Sequence, residues 1–355
     1  PRPAAGPAAR GVMAAAPAPG RYVYDAPWPT YALAWALRTK PRVRLALGSF
    51  NEQEKNYIQV VELNEETKRL EKIAETEHAF PPTKLMWKPG DSALGTAGLD
   101  GSLLASASTC LELWRLEGGR LRSLGKVPHA RSTTGQSPPL TSFDWSSVQE
   151  HKLAGASVDT TCSIWDIERQ KIETQLIAHD KAVYDVTFGP RESIASMFAS
   201  VGADGSVRVF DQRNLEHSTI IYETSPPSPL LRLAWNKLDK NYIATIAQDN
   251  QGVTILDIRR PCVALKKLSS NGPCATCIAW APHSRNHLVC GTDDGSTLIW
   301  GLSDAPAADA KGVAGSSKPA LVYEGGKEVY QVQWPESLPD HMALGAGRQV
   351  EIVSL

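Results

Sequence analysis

The sequence predicts an all-β fold, a seven-bladed β-propeller, from three observations. An apolar stretch that ends in Trp or Phe recurs seven times among the 355 residues, at intervals of 43 to 58 residues. A second apolar stretch follows each of them 19 to 27 residues later, and a small-residue run with a tight turn lies between the two. Internal repetition with a period of this size is the signature of a repeat architecture. The first anchors are Trp35, Trp87, Trp145, Phe188, Trp235, Trp280 and Trp334, and the second anchors are Val61, Trp114, Trp165, Phe210, Leu256, Trp300 and Val353.

Each repeat is interpreted as four antiparallel strands. The first alternates between apolar and other residues, as at 231–235, and such alternation is typical of a half-buried strand. The second is a small-residue strand, such as 198–201, that ends in a turn containing Asp204 and Gly205. Asp-Gly is a strong hairpin signal because both turn positions tolerate positive φ. The third strand alternates around the second anchor, as at 207–210, and a fourth follows at 219–223.

The two chain ends predict how the ring closes. The sequence stops at Leu355, directly after the third strand of the last repeat at 350–353, so that blade lacks its outer strand. Residues 21–25 precede the first repeat and resemble the outer strands of two other repeats. One four-stranded unit cannot bury both of its faces, whereas radial stacking of several sheets can. We therefore expect residues 21–25 to pair into the last blade and to clasp the ring.

Composition sets limits on domain organisation and class. Residues 1–20 are almost entirely Ala, Pro, Gly and Arg, which predicts a disordered head before a propeller at 21–355. Insertions rich in Gly, Ser, Pro and Ala at 89–102, 128–139 and 303–318 are expected to be loops on one face. The net charge of −1 argues against a general nucleic-acid-binding surface. The sequence has no apolar run of about eighteen residues, so no transmembrane helix is expected, and its six scattered Cys fit a reducing compartment.

Several motifs are shared with a known family. Residues 162–166 form a Trp-Asp repeat ending, and Phe210-Asp211, Leu256-Asp257 and Trp300-Gly301 are variants of it. The more specific motifs are residues 24–29 (Tyr-Asp-Ala-Pro-Trp-Pro), 81–87 (Pro-Pro-Thr-Lys-Leu-Met-Trp), 141–145 (Thr-Ser-Phe-Asp-Trp), 178–181 (Ala-His-Asp-Lys), 215–223 (Leu-Glu-His-Ser-Thr-Ile-Ile-Tyr-Glu) and 278–284 (Ile-Ala-Trp-Ala-Pro-His-Ser). From about residue 20 to its end the sequence resembles the WD-repeat scaffold family of plant TRANSPARENT TESTA GLABRA and its animal homologue, a DDB- and CUL-associated factor.

This resemblance implies a non-enzymatic scaffold without a cofactor. Plant members of the family hold MYB and basic helix-loop-helix transcription factors in one complex, whereas animal members dock a dual-specificity kinase and are associated with a cullin ubiquitin ligase. We therefore expect protein partners of these kinds, a monomer within hetero-complexes, no direct binding of nucleic acid or membrane, and a location in cytoplasm and nucleus. The alternative function is a substrate receptor or associated factor of a cullin ubiquitin ligase. Ser108 departs from the family pattern, because repeats often carry Asp in that turn.

Three Asp residues are candidates for metal ligands or acids. They are Asp159, Asp204 and Asp294, each six positions before a second anchor, namely Trp165, Phe210 and Trp300. In Trp-Asp repeats such an Asp lies in the turn between the second and third strands and is hydrogen bonded to a His in the preceding loop. The resemblance therefore implies a structural network of His179, Ser200 and Asp204 in the fourth blade, where Phe210 replaces the usual Trp. A structural role outweighs metal binding or catalysis, because buried polar groups in repeats normally satisfy each other.

Other chemistry-bearing patterns are weak. Cys274 and Cys277 have the spacing of half a zinc site, but the sequence lacks a second pair, and Cys277 falls in an alternating strand, so packing outweighs zinc or redox chemistry. No G-x-S-x-G nucleophile elbow, Walker-type Gly-Lys loop or H-E-x-x-H motif occurs in the sequence. Residues 345–347 (Gly-Ala-Gly) fall in a hairpin turn without a following helix and do not form a dinucleotide loop. An enzyme is therefore not expected.

Two Asp-x-Arg motifs and two loops are the candidate partner-binding sites. Arg213 and Arg259 follow the third strands of the adjacent fourth and fifth blades and resemble the Trp-Asp-x-Arg signature of receptors that dock on a cullin-ligase adaptor. In the alternative interpretation, each Arg caps a solvated turn beside its own Asp. Loops held by a stiff core are where binding residues concentrate. The candidate contacts on the top face are His179, Asp180 and Lys181, before the fourth blade, and Asn271, Gly272 and Pro273, before the sixth.

Overall fold

The computed structural model describes residues 20–36, 43–52, 54–90, 103–128, 138–248, 251–302 and 318–355. This part of the chain holds 28 β-strands and one short 3₁₀ turn, Glu192–Ile194. The strands form seven antiparallel sheets of four strands each, which confirms the predicted all-β, seven-bladed propeller. Residues 1–19 of the predicted disordered head lie outside the described residues. Most of the predicted insertions at 89–102, 128–139 and 303–318 lie outside them as well.

Blades 1 to 6 each use four consecutive strands, with the first strand next to the central channel and the fourth outermost. Blade 1 has β2 (Thr30–Trp35), β3 (Arg44–Ser49), β4 (Asn56–Asn64) and β5 (Arg69–His78). Blade 2 has β6 (Lys84–Trp87), β7 (Leu103–Ala107), β8 (Cys110–Glu117) and β9 (Arg120–Pro128). Blade 3 has β10 (Leu140–Trp145), β11 (Lys152–Ser157), β12 (Thr161–Asp166) and β13 (Lys171–Ile177).

The next three blades follow the same plan. Blade 4 has β14 (Val183–Phe188), β15 (Met197–Gly202), β16 (Ser206–Asp211) and β17 (Asn214–Glu223). Blade 5 has β18 (Leu230–Trp235), β19 (Tyr242–Ala247), β20 (Gly252–Asp257) and β21 (Ala264–Ser269). Blade 6 has β22 (Ala275–Trp280), β23 (His287–Thr292), β24 (Ser296–Gly301) and β25 (Leu321–Glu324).

Blade 7 is built from both ends of the chain. It contains β26 (Val329–Gln333), β27 (His341–Ala346), β28 (Gln349–Ser354) and, as its outer strand, β1 (Arg21–Asp25). The two strands β1 and β28 are antiparallel, with Arg21 opposite Val353 and Asp25 opposite Gln349. The Arg21 guanidinium also forms an ion pair with Glu351 at 2.6 Å. The structure thus confirms that residues 21–25 pair into the last blade and clasp the ring.

The hydrophobic core consists of seven clusters, one between each pair of adjacent blades. Successive side chains of a strand point to opposite faces of its sheet, so each strand serves two clusters. In β2, Leu33 and Trp35 pack against blade 7, whereas Ala32 and Ala34 lie against Trp87 of blade 2. Small residues on one sheet therefore make room for the large anchor of the next, and this complementarity explains why the anchors recur.

The two faces of the ring carry different loops. The upper face, as we name it, carries the turns between the second and third strands of each blade. The lower face carries the turns between the third and fourth strands. Because neighbouring strands are antiparallel, the connections from one blade to the next also lie on the upper face. Gly205, in an upper turn of blade 4, has a φ of 80°, a conformation that favours glycine.

Candidate functional site

A hydrogen-bonded cluster on the upper face of blade 4 consists of His179, Ser200, Asp204 and Ser206, and we call it the His179–Asp204 cluster. The His179 Nδ1 lies 3.0 Å from both carboxylate oxygens of Asp204, and its Nε2 lies 2.7 Å from the Ser200 hydroxyl. The backbone N–H and the hydroxyl of Ser206 both donate to Asp204 Oδ1. In this network His179 Nδ1 carries a proton that it donates to the Asp204 carboxylate.

The carboxylate of Asp204 is held in its ionised form. Burial by itself raises the pKa of Asp204, but the hydrogen bond and charge of His179, together with the Ser206 donors, outweigh burial and lower that pKa. The packing around His179 is close, since a Cβ added to Gly202 would lie 3.0 Å from the imidazole ring and 2.9 Å from the Ala182 carbonyl oxygen. These contacts make the cluster a structural support of the upper face.

The predicted contact residues Asp180 and Lys181 lie on the solvent side of this cluster. The Arg208 guanidinium donates to Asp180 Oδ2 at 2.6 Å and to Asp204 Oδ2 at 3.0 Å, so it links the exposed Asp180 to the buried network. Lys181 is exposed. The other predicted loop, with Asn271 and Gly272 exposed and Pro273 half-buried, joins β21 to β22 on the same face.

The other two predicted Asp residues cap their own upper turns. Asp159 Oδ1 accepts from the backbone N–H of Thr161 at 3.1 Å, and Asp294 Oδ1 accepts from that of Ser296 at 2.9 Å. Asp side chains commonly hydrogen bond to the backbone two residues on. Trp165 and Trp300 are buried in inter-blade clusters. Among the residues that the structure describes, the Trp300 indole N–H has no hydrogen-bond partner, so Asp294 and Trp300 do not form a common network.

A second histidine cluster lies in blade 2, and the sequence interpretation missed it. The His78 Nε2 lies 3.0 Å from the Ser106 hydroxyl, which also accepts from the Trp114 indole N–H at 2.9 Å. The His78 Nδ1 donates to the Phe80 carbonyl oxygen at 2.6 Å, and burial lowers the pKa of His78. The spacing in the sequence could have identified it, because His78 lies nine residues before the anchor Trp87, just as His179 lies nine residues before the anchor Phe188.

Large apolar side chains are exposed on the upper face of blades 1 to 3. Ile177, at the end of β13, is 79% exposed, and Phe80, between β5 and β6, is 52% exposed. Phe50 and Val158, in the upper turns of blades 1 and 3, are exposed as well. We call Phe50, Phe80, Val158 and Ile177 the upper apolar rim. None of these residues was singled out from the sequence, because alternation alone does not separate an exposed loop residue from a core residue.

On the lower face, Arg213 and Arg259 each pair with their own Asp. The Arg213 Nε lies 3.0 Å from both oxygens of Asp211, and Arg259 contacts Asp257 at 2.9 and 2.7 Å. Arg213 holds the pKa of Asp211 down at about 2. This geometry fits the alternative interpretation, in which each Arg caps a solvated turn beside its own Asp. Both Arg side chains nevertheless remain largely exposed, at 77% and 60%, on neighbouring blades.

The central channel encloses a cavity of about 240 Å³ that is lined by charged side chains of four blades. Asp185 accepts hydrogen bonds from the Ser142 hydroxyl at 2.6 Å and from the backbone N–H of Leu233 at 2.9 Å, so it joins blades 3, 4 and 5. Asp144 likewise accepts from the backbone N–H of Phe188 at 2.7 Å. Burial raises the pKa of Asp144. The channel carboxylates therefore hold adjacent blades together.

The described ranges contain no group of three or more His, Cys, Asp and Glu side chains placed to hold a metal ion. Neither Cys274 nor Cys277 takes part in a disulfide within the described residues, and Cys277 packs in the cluster between blades 6 and 7. Burial raises the pKa of Cys277 to about 11, which disfavours the thiolate that binds metals. No helix in the ranges set out above has the length and apolar character needed to cross a membrane.

Comparison with known proteins identifies related chains. The family described as WD domain, G-beta repeat matches residues 170–211 and 263–301, which lie in blades 3 to 4 and 5 to 6. The DDB1- and CUL4-associated factor 7 homolog of Dictyostelium discoideum is 43% identical over 335 residues, which cover 94% of this chain and 98% of the relative. A WD repeat-containing protein of Schizosaccharomyces pombe is 38% identical over 81% of this chain and 72% of its own. One from Saccharomyces cerevisiae is 33% identical over 79% of this chain and 58% of its own.

Proposed function

The chain belongs to the WD-repeat family of the DDB1- and CUL4-associated factor 7 homologue, and from this premise we propose that it is a non-enzymatic scaffold for protein complexes. The observation that carries the proposal is the upper apolar rim on three consecutive blades of a closed ring. Concentrations of exposed apolar side chains mark protein-interaction sites in soluble proteins. Because the core beneath them is packed between every pair of blades, these side chains are presented on a stiff support.

The proposed partners at the upper face are regulatory proteins. They are transcription factors of the MYB and basic helix-loop-helix types, or a protein kinase, which are the partner classes that the family resemblance implies. We place this role in the cytoplasm and the nucleus, with the chain as a monomer inside hetero-complexes. Asp180 and Lys181 supply charge beside the rim, on the solvent side of the His179–Asp204 cluster.

The second candidate function is docking to a cullin-ligase adaptor, as a substrate receptor or associated factor. Two observations favour it: the Dictyostelium relative is named for association with DDB1 and CUL4, and Arg213 and Arg259 are exposed on adjacent blades of the lower face. A guanidinium fixed by its own aspartate loses little further freedom when it meets a partner, and arginine is favoured at interface centres. In this function the upper face would hold the substrate.

Affinity purification followed by quantitative mass spectrometry tests both functions. The tagged full chain is expressed in plant and in animal cells beside two variants, one carrying Phe80→Ser with Ile177→Ser and the other Arg213→Ala with Arg259→Ala. A Lys72→Ala variant, changed on the outer strand of blade 1, is the matched control. We expect the rim variant to lose the transcription factors or kinase and to keep any adaptor, while the arginine variant loses only the adaptor.

Two outcomes decide against these functions. Equal recovery of every partner by the rim variant and the control would contradict the scaffold role of the upper face. Unchanged recovery of adaptor and cullin by the arginine variant would reject adaptor docking through Arg213 and Arg259.

A further inference from the structure

Arg232 is a cation of the central channel that has no carboxylate within ion-pair distance among the residues that the structure describes. It lies in β18, where the register with β19 shifts between Leu230 and Arg232, and it is half-buried against the cavity. Burial alone lowers the pKa of Arg232, but the Tyr31 phenol and the Asp185 carboxylate outweigh it and raise that pKa. Tyr31 belongs to blade 1, which is separated from blade 5 by blades 6 and 7, so the guanidinium faces the channel.

The guanidinium has donors to spare. Of its five N–H groups, one donates to the Leu231 carbonyl oxygen at 2.9 Å, and the Tyr31 hydroxyl is a second hydrogen-bond partner. Within the described chain Arg232 forms no ion pair, and the two channel carboxylates contact other groups: Asp185 lies 3.6 Å from Lys84 Nζ, and Asp144 accepts from the backbone N–H of Phe188. Asp185 accepts from Ser142 and from two backbone N–H groups, of Val186 and Leu233. A desolvated charge normally pairs with an opposite charge. The Arg232 guanidinium can therefore bind a carboxylate from outside this chain.

The surroundings of Arg232 fit an acidic group carried by a polypeptide. Lys84 adds a second positive charge, with its Nζ 3.6 Å from Asp185 Oδ1. Tyr31 and Tyr330, the second residues of β2 and β26, line the upper part of the cavity, and Tyr31 contacts the ring of Phe50 with centroids 5.6 Å apart. The cavity of about 240 Å³ exceeds many-fold the space that one water molecule needs. The cavity opens beside Phe50, an aromatic residue of the upper apolar rim.

We propose that the upper mouth of the channel binds the side-chain carboxylate of an aspartate or glutamate from a protein partner, through the Arg232 guanidinium. The inference rests on the proposed scaffold function and adds to it the chemistry of one anchoring residue. A planar guanidinium pairs with a carboxylate through two parallel hydrogen bonds, which gives direction as well as charge. The aromatic side chains at the mouth select an apolar residue beside the acidic one.

The test is affinity selection from a peptide library. The immobilised full chain is incubated with capped nonapeptides randomised at every position, and bound peptides are sequenced by mass spectrometry. Wild type is compared with Arg232→Gln, with Arg232→Lys, which keeps the charge but loses the planar group, and with Arg122→Gln, a matched control at an exposed arginine on the outer strand of blade 2. Thermal melting of each variant checks folding.

We expect wild type and Arg122→Gln to enrich peptides with Asp or Glu at one position, next to an apolar residue. The selected peptide should bind at least about tenfold more weakly when its acid is changed to the amide, or when Arg232→Gln replaces wild type. Arg232→Lys should give an intermediate loss of peptide affinity. The comparison of Arg232→Lys with wild type tests the proposal even if Arg232→Gln does not fold.

Three results would overturn the proposal. They are no acidic preference on wild type, an acidic preference that persists in both Arg232 variants, and displacement of the peptide by a comparable concentration of acetate, which would assign the site to free carboxylates. If the acidic preference fails while the Phe80→Ser, Ile177→Ser variant still loses its partners, the scaffold function stands and only this inference falls.

Discussion

At the scale of the residue, Asp204 is the side chain that the upper face of blade 4 depends on most. It accepts hydrogen bonds from His179, Ser206, Arg208 and the backbone of Asp180, and its side chain is only 10% exposed. Replacing Asp204 by Ala removes the carboxylate that accepts from His179 Nδ1 and one of the two carboxylates that accept from Arg208. We expect the free energy of unfolding to fall by about 3 kcal/mol, as when one partner of a buried pair is removed.

Urea unfolding at neutral pH measures this loss, and Asp294→Ala is its matched control. Asp294 caps the equivalent turn of blade 6 through Thr292 and Ser296, both uncharged donors, so its loss should cost about 1 kcal/mol. Equal losses of unfolding free energy in the two variants would show that the contact between His179 and Asp204 does not stabilise the fold.

The same cluster predicts how stability depends on pH. The pKa of Asp204 is lowered in the folded chain, so its contribution is complete above the ordinary carboxyl pKa of about 3.9 and is lost as the pH falls towards the lower folded value. The difference in unfolding free energy between wild type and Asp204→Asn should therefore stay constant from neutral pH to about pH 5 and shrink below about pH 4. A difference that grows in acid would refute this assignment.

Single residues also mark the limit of what the sequence could predict. His179 and Asp204 were found because their spacing matches a known repeat pattern. His78 was missed because Ser108 occupies the turn position of the expected Asp, although Ser106 and Trp114 complete another network. The sequence could not show that Arg232 lacks an ion pair within the described residues, because this depends on where Asp185 finds its donors on other blades. Such relations between distant segments are a property of the folded ring alone.

At the scale of the element, the clasp formed by β1 and β28 closes the ring. Deleting residues 1–26 removes the outer strand of blade 7, the packing of Tyr22 and Tyr24 against the cluster with blade 1, and the Arg21–Glu351 ion pair. We expect the melting temperature to fall by at least about 5 °C, because several kcal/mol of packing and hydrogen bonds are lost.

Scanning calorimetry compares this truncation with a matched deletion of residues 1–18, which leaves β1 whole. Identical melting of the two truncated chains would mean that the clasp does not stabilise the ring. The strands themselves were predictable, since alternation and the anchors are local signals.

At the scale of the whole molecule, the proposed scaffold function requires one ring with two separate candidate binding faces. The upper apolar rim and the Arg213–Arg259 pair lie on opposite sides of a packed core, so two proteins can be held at once without competing for the same surface. Holding both on one support raises the effective concentration of each for the other, and this requires no catalysis. A receptor with a single partner would gain nothing from that arrangement.

Two-step affinity purification tests this claim most directly. Complexes are captured first through a tag on this chain and then through a tag on one recovered partner, and the second eluate is analysed by quantitative mass spectrometry. The account predicts that a second partner is present in that eluate together with this chain, and that it is lost when the Phe80→Ser, Ile177→Ser variant or the Arg213→Ala, Arg259→Ala variant replaces wild type. A second eluate that holds only the tagged partner and this chain would contradict it.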